Sequence, residues 1–453
     1  MLVVGGGIAA YCAALAAREA GAEVSLVDRA PSALRGGNAR HSRNLRLAHS
    51  EPTEFLPGRY PRDEFFADLR RASGAGGDAR LARILADRST ELPAWLAAQG
   101  VHFERPADGN LPWSRKTAFF LGGGKAMINA LAARATKLGI GVYQDTLIDE
   151  IPPCDAGPHR LALRSGAAVA EAHTHAVVLC CGGYQANPAW LGERWGTAAS
   201  RFIVRGMPYA DGALLRQLLA AGAAPAGAPG SCHLVAVDAR SPQTDGGILT
   251  RVDGMPWGIV VDGTGRRFHD EGQEVGPRRY SSWGRLVADC PGQRAYLILD
   301  DSTGQRTTAS IYPPIEGQTP AELGNALDLA AGALESTIND YNRALVDDGP
   351  DQGHTEGLAP PKSRCALPLV APPLVAYPMA PGITFTNHGV RVDEAARVLR
   401  DDGTPWPGLY AAGTLMAPAI LDTSYLAGIG LTISAVFGRL AGASAAHHVR
   451  ARR

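Results

Sequence analysis

MLVVGGGIAA, residues 1–10, places three glycines directly after a short apolar run. The run is typical of a buried strand, and the alanine-rich residues 11–22 that follow favour a helix ending at a glycine. Gly5, Gly7 and Ala10 therefore satisfy the G-x-G-x-x-[G/A] pattern between a strand and a helix. There the first glycine makes the turn, the second lets backbone approach a pyrophosphate, and the small third residue lets helix and strand pack closely.

A second strand with an acidic end supports this interpretation. The segment EVSLVD (23–28) is typical of a buried strand, and it ends at Asp28, followed by Arg29. A carboxylate about 20 residues after the glycines is where dinucleotide-binding folds hold a ribose hydroxyl. A chance glycine turn is the alternative, but strand, helix, second strand and acid together predict a dinucleotide site.

Composition excludes several classes of protein. The 453 residues suffice for two domains, and 44 basic residues balance 44 acidic ones, so no net charge recruits nucleic acid or an anionic membrane. We expect no transmembrane span, no secretory signal and a cytoplasmic location. The seven cysteines have no C-x-x-C spacing, which argues against a disulfide framework or a metal site; they are Cys12, Cys154, Cys180, Cys181, Cys232, Cys290 and Cys365.

The remaining chain alternates between helical and strand patterns. Helices are predicted within 62–100 and 124–138, around 320–346 and at the C-terminus, and strands at 140–144, 159–166 and 175–183. The stretch AAGAAPAGAPG (220–230) has a linker-like composition and predicts a crossing between domains. Residues 350–382 carry many prolines and predict a long surface excursion.

Which dinucleotide binds is indicated by RGGNARHSRNLRLAH (35–49), a polar, basic loop where a nicotinamide enzyme would continue with strands and helices. This loop occurs in order with VVGGGIAA, LGGGKAMINAL, AVVLCCGGYQAN and GLYAAGT, as in the succinate dehydrogenase and fumarate reductase flavoprotein superfamily. The loop and SYLAGIGLTISAVFGRLAG (424–442) most resemble its tricarballylate dehydrogenase branch. The resemblance spans nearly the whole chain.

The resemblance implies an α/β fold: a Rossmann-like FAD-binding domain split in sequence (1–230 and 386–453), with an inserted α+β capping domain (231–385) for substrate. It implies FAD, and because His41 does not match the family's attachment motif well, we expect non-covalent FAD. The residues expected to contact the cofactor, beyond those of the first turn, are Asp28, Arg29, Gly36, Gly37, Asn38, Ser42, Gly122, Gly123, Gly124, Gly182, Gly183, Gly413, Thr414, Gly430 and Leu431.

Three of these residues carry a more specific expectation. Thr414 stands where the family usually has a carboxylate. The N–H groups of Gly430 and Leu431, at the start of the last helix, are expected to face the flavin N1–C2=O edge and to stabilise negative charge on the reduced ring.

The resemblance also implies a substrate side. Oxidation of a C–C bond next to a carboxylate needs cations for the acid, a base for the α-proton and flavin N5 opposite the departing hydride. His233 matches a histidine that binds substrate carboxylate, and Arg251 stands where relatives carry a hydroxyl residue. Arg279, or its neighbour Arg278, lies near the family's proton-transferring arginine.

Two departures separate this chain from fumarate reductases. Tyr425 occupies the place of their carboxylate-clamping arginine, and a phenol carries no fixed positive charge. Thr384 and Phe385 replace a histidine pair, although His388 lies three residues on and is expected to substitute. A tyrosine at this place also resembles the 3-ketosteroid dehydrogenases, where it polarises a carbonyl or assists proton removal.

We therefore expect an FAD-dependent dehydrogenase that forms a C=C bond next to a carboxylate or carbonyl, with hydride transfer to flavin N5 and a tricarballylate-like acid as substrate. A separate protein or quinone would accept the electrons. The alternatives are an FAD oxidase or monooxygenase acting on a larger cyclic substrate, similar to flavoproteins of cobalamin-precursor oxidation, and a non-catalytic flavin-binding subunit.

Overall fold

The structure is a computed structural model that describes residues 1–106, 114–152, 154–155, 157–276, 279–307, 310–349 and 352–452. These residues form two compact units. Unit 1 comprises Met1–Arg194, Gly206–His233 and Phe385–Arg453, and unit 2 comprises Trp195–Arg205 and Leu234–Thr384. Unit 2 thus includes Trp195–Arg205, which the sequence assigned to the first domain, because Ile203 and Val204 form a strand that pairs with Gly382 and Ile383.

The strands, in chain order, are β1 Leu2–Val4, β2 Ser25–Val27, β3 Asn44–Arg46, β4 Thr117–Phe119, β5 Gly141–Tyr143, β6 Leu147–Ile148, β7 His159–Ser165, β8 Ala168–Thr174, β9 Val177–Leu179, β10 Ile203–Val204, β11 Pro225–Asp238, β12 Ile259–Asp262, β13 Ala295–Asp300, β14 Ile315–Gly317, β15 Leu345–Val346, β16 His354–Thr355, β17 Leu374–Val390, β18 Arg397–Leu399 and β19 Pro405–Ala411.

The helices are α1 Ile8–Glu19, α2 Arg62–Ser73, α3 Ala79–Ser89, α4 Leu92–Ala98, α5 Gly123–Lys137, α6 Pro188–Trp195, α7 Ala213–Ala220, α8 Arg279–Asp289, α9 Asp301–Gly304, α10 Pro320–Ala326, α11 Ala333–Arg343, α12 Pro418–Leu421 and α13 Ile429–Arg450.

Unit 1 is organised by a sheet with the strand order β18-β19-β9-β1-β2-β5. The pairs from β19 to β5 are parallel, and only the edge pair β18–β19 is antiparallel. β1 and β9 are fully buried apolar runs, as expected for a parallel sheet covered on both faces. The carboxyl ends of β1, β2 and β5 therefore lie side by side at one edge, where doubly wound sheets bind ligands.

The first and last helices pack with their backbones in contact. A methyl group added at Gly438 would lie 2.5 Å from the Ala9 carbonyl oxygen, and one added at Gly442 would overlap the Ala13 carbonyl oxygen. The contacts advance in the same direction along both helices, so α1 and α13 run roughly parallel. Glycine at these two positions lets α13 lie directly against the helix that follows the N-terminal turn.

α13 has the length and composition of a membrane span, with a mean hydropathy of 1.4 over its most apolar window. However, 72% of that window is buried inside the protein. Packing against α1 therefore accounts for its apolar character.

Unit 2 contains an antiparallel sheet in which β13 pairs with β12 and β17. Alternate residues of β13 serve two cores, as the period of a strand requires. Tyr296 and Ile298 pack with α10 and α11, whereas Leu297 and Leu299 pack with Trp283 of α8. This arrangement agrees with the predicted α+β character.

The irregular structure predicted for two connections is wrong. Residues 225–230, of linker-like composition, form the first six residues of β11, and residues 374–382, expected on a surface excursion, lie in β17. The boundary between the units falls after His233, three residues past the predicted crossing at 220–230. The two long strands pair with each other. Their glycines and prolines suggested irregular structure, but the hydrogen bonds come from a partner about 150 residues away in sequence, which local patterns do not reveal.

The α1–α13 contact predicts the effect of one added methyl group. We expect Gly442→Ala to destabilise the protein by about 1–3 kcal/mol, because the methyl group would meet helix backbone that cannot move aside. Gly192→Ala in α6 is the matched control, since nothing lies within 4 Å of the added methyl group. Thermal unfolding should show a midpoint several degrees lower for Gly442→Ala only, and equal midpoints would contradict the packing.

Candidate active site

The N-terminal turn requires a glycine at its first position. Gly5 has a φ of +117°, and a side chain there would overlap the carbonyl oxygen of Cys180 at the end of β9. Its N–H donates to the Val27 carbonyl oxygen at 2.8 Å. The turn is therefore held between the ends of β9 and β2.

At three other glycines an added methyl group would make only ordinary van der Waals contacts. The nearest atom to a methyl group placed at Gly7 is the Gly36 carbonyl oxygen at 3.8 Å; at Gly37 it is the Gly7 Cα at 3.7 Å, and at Gly123 the Ser42 carbonyl oxygen at 3.9 Å. Gly7 caps α1, and Gly123 is the first residue of α5. Two helix N-termini, whose N–H groups favour anions, thus open onto one glycine-lined cradle.

The other predicted glycines mainly serve packing of the protein. Added methyl groups would crowd neighbouring atoms at Gly36 (Ile128), Gly122 (Ala126), Gly124 (the Ala39 and Ser42 carbonyls), Gly183 (Thr386 and Thr414) and Gly413 (Ala9). At Gly182 the nearest atom, the Ala210 Cβ, is 3.7 Å away, but a φ of +81° favours glycine there. These glycines bring the loops around the cradle close together, and Ala10 is completely buried in α1. Among them, the side chain of Thr414 lies next to Gly183, since a methyl group there would be 3.2 Å from the Thr414 Cγ2.

Asp28 supplies a buried carboxylate beside the turn. Its Oδ1 accepts a hydrogen bond from the Ala30 N–H at 3.3 Å, whereas its buried Oδ2 has no hydrogen-bond partner in the described part of the chain. Oδ2 lies against the Cα of Gly6. Burial raises the pKa of the Asp28 carboxyl to about 6. An acceptor of this kind fits a ribose hydroxyl, and the cradle fits a pyrophosphate, so the residues present fit FAD.

The first turn of α13 is held in place by β3. The Arg46 N–H donates to Thr432 Oγ1 at 2.9 Å, and Thr432 Oγ1 donates back to the Arg46 carbonyl at 2.7 Å. The Arg46 guanidinium donates to the Ala427 carbonyl and pairs with buried Asp68. Gly430 and Leu431 follow, with first-turn N–H groups that have no acceptor within the helix.

Three aromatic side chains meet at this first turn. The rings of His233 and Tyr425 stack with centroids 4.2 Å apart, and Phe385 contacts the Tyr425 ring edge-on at 5.4 Å. A methyl group at Gly430 would lie 3.1 Å from the Tyr425 hydroxyl oxygen. The structure thus brings together His233, Tyr425 and Gly430, three residues that the sequence named separately.

Arg29 and Asn38 have protein partners. Arg29 pairs with Asp211 at 2.6 Å and donates to the Tyr209 carbonyl. The Asn38 Oδ1 accepts from the Met207 N–H at 3.1 Å. Both side chains therefore anchor the segment around 206–211, and direct contact with the cofactor stays a prediction for them and for Ser42.

In unit 2, two predicted cations share one carboxylate. Arg251 pairs with Asp253 at 2.7 Å, and Arg279 pairs with the other oxygen of Asp253 at 2.8 Å. Arg279 also donates to the Val275 and Gly276 carbonyls. Sequence reasoning missed Asp253, although an acid two residues from Arg251 was a visible signal. Arg278 lies outside the described residues.

That His388 substitutes for the missing histidine pair stays a prediction, and the structure packs this residue among aromatic side chains of unit 1. His388 packs edge-on against Tyr184 and Trp190, and burial lowers its pKa. It is an odd number of residues from Phe385 along β17, so the two side chains point to opposite faces of the strand. Within unit 2, Thr384 instead accepts a hydrogen bond from buried Arg205 at 3.0 Å, a cation that the sequence did not indicate.

Comparison with known proteins shows the family of the chain. The FAD binding domain family matches residues 1–431. The chain belongs to the FAD binding domain family. FAD is therefore its cofactor, as the sequence predicted, and the glycine cradle and Asp28 are the parts of the fold that fit it.

Individual relatives indicate the class of enzyme. The chain is 27% identical to the "Probable fumarate reductase Ifc3" of Shewanella frigidimarina, over 99% of this chain and 75% of that protein. It is 30% identical to the 3-oxosteroid 1-dehydrogenase of Mycobacterium tuberculosis, over 41% of this chain and 38% of that protein. A flavocytochrome c3 fumarate reductase in its open conformation has the same fold, with a TM-score of 0.80 at 23% identity, over 99% of this chain and 78% of that one.

These findings confirm the predicted fold and the class of FAD-dependent oxidoreductase acting on CH–CH groups. The relatives are fumarate reductases and steroid dehydrogenases, so the resemblance to the superfamily is confirmed. Tricarballylate as the substrate stays a prediction.

The buried carboxylate predicts a pH-dependent affinity for FAD. Ionised Asp28 accepts a hydrogen bond from a ribose hydroxyl, and its protonation below about pH 6 removes an acceptor. We expect FAD affinity to rise as the pH increases from 5 to 7, and Asp28→Asn to weaken binding by about tenfold at pH 8 and to flatten this dependence. Flavin fluorescence titration measures both, with Asp63→Asn on exposed α2 as control. An unchanged pH dependence in Asp28→Asn would contradict the assignment.

Proposed function

We propose that the protein is an FAD-dependent dehydrogenase that converts a C–C single bond next to a carboxylate or carbonyl group into a C=C bond, with a tricarballylate-like acid as the substrate class. The observation that carries the proposal is the position of Tyr425. Its hydroxyl lies beside Gly430 in the first turn of α13, and its ring stacks on His233. A group suited to substrate thus lies next to backbone suited to the flavin.

The residues of unit 1 have distinct roles in this reaction. Bound FAD supplies the acceptor for the hydride and its electron pair. The Tyr425 hydroxyl donates a hydrogen bond to the substrate oxygen and stabilises the negative charge that develops when the α-proton leaves. His233 supports the Tyr425 ring from one face, and Phe385 closes its edge. These contacts hold the hydroxyl in one orientation.

The predicted cationic groups, Arg251 and Arg279, lie in unit 2. By their predicted roles, both are candidates for binding substrate carboxylates, and Arg279 is also the candidate for receiving the α-proton. Both guanidinium groups form ion pairs with Asp253, which orients them. A guanidinium binds a carboxylate in a planar, two-point geometry, so its orientation decides which acids fit.

A second candidate substrate is a larger cyclic ketone. The stacked pair of His233 and Tyr425 with Phe385 at its edge offers a flat apolar wall, and a phenol can polarise a ketone without a fixed charge. The 30% identity to a 3-oxosteroid 1-dehydrogenase supports this alternative. For either substrate we propose that the electrons pass to a separate protein or quinone.

Anaerobic flavin bleaching distinguishes these substrates. We expect tricarboxylates to bleach the flavin absorbance of the purified protein faster than cyclic ketones. Faster bleaching by ketones would favour the second candidate. An oxidised flavin with every tricarboxylate, dicarboxylate and ketone would contradict the proposed function.

Tyr425→Phe tests the role of the hydroxyl. The variant keeps the ring that stacks on His233 and removes only the donor, so we expect the rate of flavin reduction to fall by about 10²–10⁴-fold with little change in FAD binding. Tyr410→Phe, whose hydroxyl bonds to the Ser444 carbonyl in unit 1, is the matched control. Flavin reduction by Tyr425→Phe at the control's rate would show that the tyrosine only packs.

Asp253→Asn tests the orientation of the arginines. Loss of the charge that both guanidinium groups share should raise KM for a carboxylate substrate by about tenfold, with a smaller effect on kcat. Asp289→Asn is the matched control. It removes a carboxylate of the same unit whose ion-pair partner among the described residues is the exposed Arg285. Steady-state kinetics of both variants should separate them, and equal KM values would mean that Asp253 does not position the site.

A further inference from the structure

Gln144, the residue after β5, has a buried side-chain amide without a hydrogen-bond partner in the described residues. Both Oε1 and Nε2 of Gln144 are buried, and neither has a hydrogen-bond partner in the described residues. An amide removed from water without a partner is unfavourable, and almost all buried polar groups are paired. Gln144 was not among the residues that the sequence indicated. Within the part of the chain that the structure describes, its donor and acceptor are therefore left for a ligand.

Gln144 and Asp28 follow directly on two neighbouring strands. β2 and β5 are parallel, with Val27 opposite Tyr143. Past the strands, the Asp28 N–H donates to the Tyr143 carbonyl at 2.9 Å, and the Thr146 N–H donates to the Asp28 carbonyl at 3.0 Å. Gln144 and Asp145, which has a φ of +50°, lie between these two contacts, so the chain bulges here. Asp28 and Gln144 thus begin two adjacent chain segments, about 5 Å apart, at the same edge of the sheet.

The order of groups along this edge matches the order of groups in a dinucleotide. The glycine turn follows β1, Asp28 follows β2 and Gln144 follows β5, and these three strands are consecutive in the sheet. The turn fits the pyrophosphate and Asp28 fits the ribose. The next group outward in FAD is adenine.

We propose that Gln144 binds the adenine ring of FAD, with Oε1 accepting from the 6-amino group and Nε2 donating to a ring nitrogen. A glutamine amide presents the donor and acceptor that complement adenine in this way. The ribose has other candidate partners. Asp28 Oδ2 and the Tyr11 hydroxyl are also buried without hydrogen-bond partners in the described chain, so the Gln144 amide is not needed for the ribose. Burial and the charge of Asp28 raise the pKa of Tyr11 to about 12, so that hydroxyl stays a donor beside the carboxylate.

Gln217, in the same unit, is a glutamine whose side-chain amide is hydrogen-bonded within the protein. Its Nε2 donates to the Asp149 carbonyl at 2.5 Å, and its Oε1 accepts from the Ile151 N–H at 3.4 Å. Gln217 thus has both its donor and its acceptor satisfied by backbone. The contrast makes Gln217→Leu the matched control for Gln144→Leu.

The test compares ADP with purine riboside 5′-diphosphate, which lacks only the 6-amino group. Both are titrated by calorimetry into the full chain after removal of its flavin. We expect the wild type and Gln217→Leu to prefer ADP by about fivefold to tenfold, and Gln144→Leu to lose this preference while binding ADP about tenfold more weakly. Gln144→Met, closer in volume to glutamine, repeats the measurement if the leucine variant is unstable.

The preference, and not the absolute affinity, decides the outcome. Loss of the preference in the Gln144 variants alone supports adenine binding by the amide. A preference that persists in Gln144→Leu, whatever its affinity for ADP, overturns the proposal, because the 6-amino group is then bound elsewhere. Absence of a preference in the wild type overturns it as well.

Discussion

Backbone contact between α1 and α13 is the constraint on which the cofactor site depends. Gly438 and Gly442 let α13 lie on Ala9 and Ala13, and the two helices run in the same direction. Ala9 is one residue after the start of α1, whereas Gly438 is nine residues after the start of α13. The start of α13 therefore projects past the start of α1 by about 12 Å at 1.5 Å per residue. The two helix N-termini, which both favour negative charge, are therefore offset along the shared helix direction. The N-terminus of α1 lies at the glycine turn, and that of α13 lies beside Tyr425.

The local motifs were predictable, and the long-range partners were not. The glycine turn, Asp28 and the final helix follow from short patterns whose physics is local: strand, turn, helix start and acidic strand end. β11 and β17 were missed because their glycines and prolines suggest loops until each strand's partner is known. Gln144 was missed for the same reason, since its significance comes from the neighbouring strand. Asp253 lies two residues from Arg251, but its second partner, Arg279, belongs to another element. His388 was counted as three residues from Phe385, and in a strand this odd spacing places the two side chains on opposite faces.

The groups expected to bind substrate are paired within each unit. In unit 1 the phenol of Tyr425 and the imidazole of His233, stacked face to face, stand next to α13. In unit 2 the predicted cations Arg251 and Arg279 both form ion pairs with Asp253. Because Asp253 partly neutralises their positive charge, we expect their binding of a carboxylate to depend on the orientation of the guanidinium groups more than on net charge.

A crystal structure of the purified protein with bound FAD tests the central claim most directly. The account predicts pyrophosphate oxygens within hydrogen-bond distance of the backbone of Gly7 and Gly37, and the flavin C2 carbonyl oxygen about 3 Å from the N–H groups of Gly430 and Leu431. Electron density that places the isoalloxazine ring away from the first turn of α13, or the pyrophosphate away from the glycine turn, would contradict it.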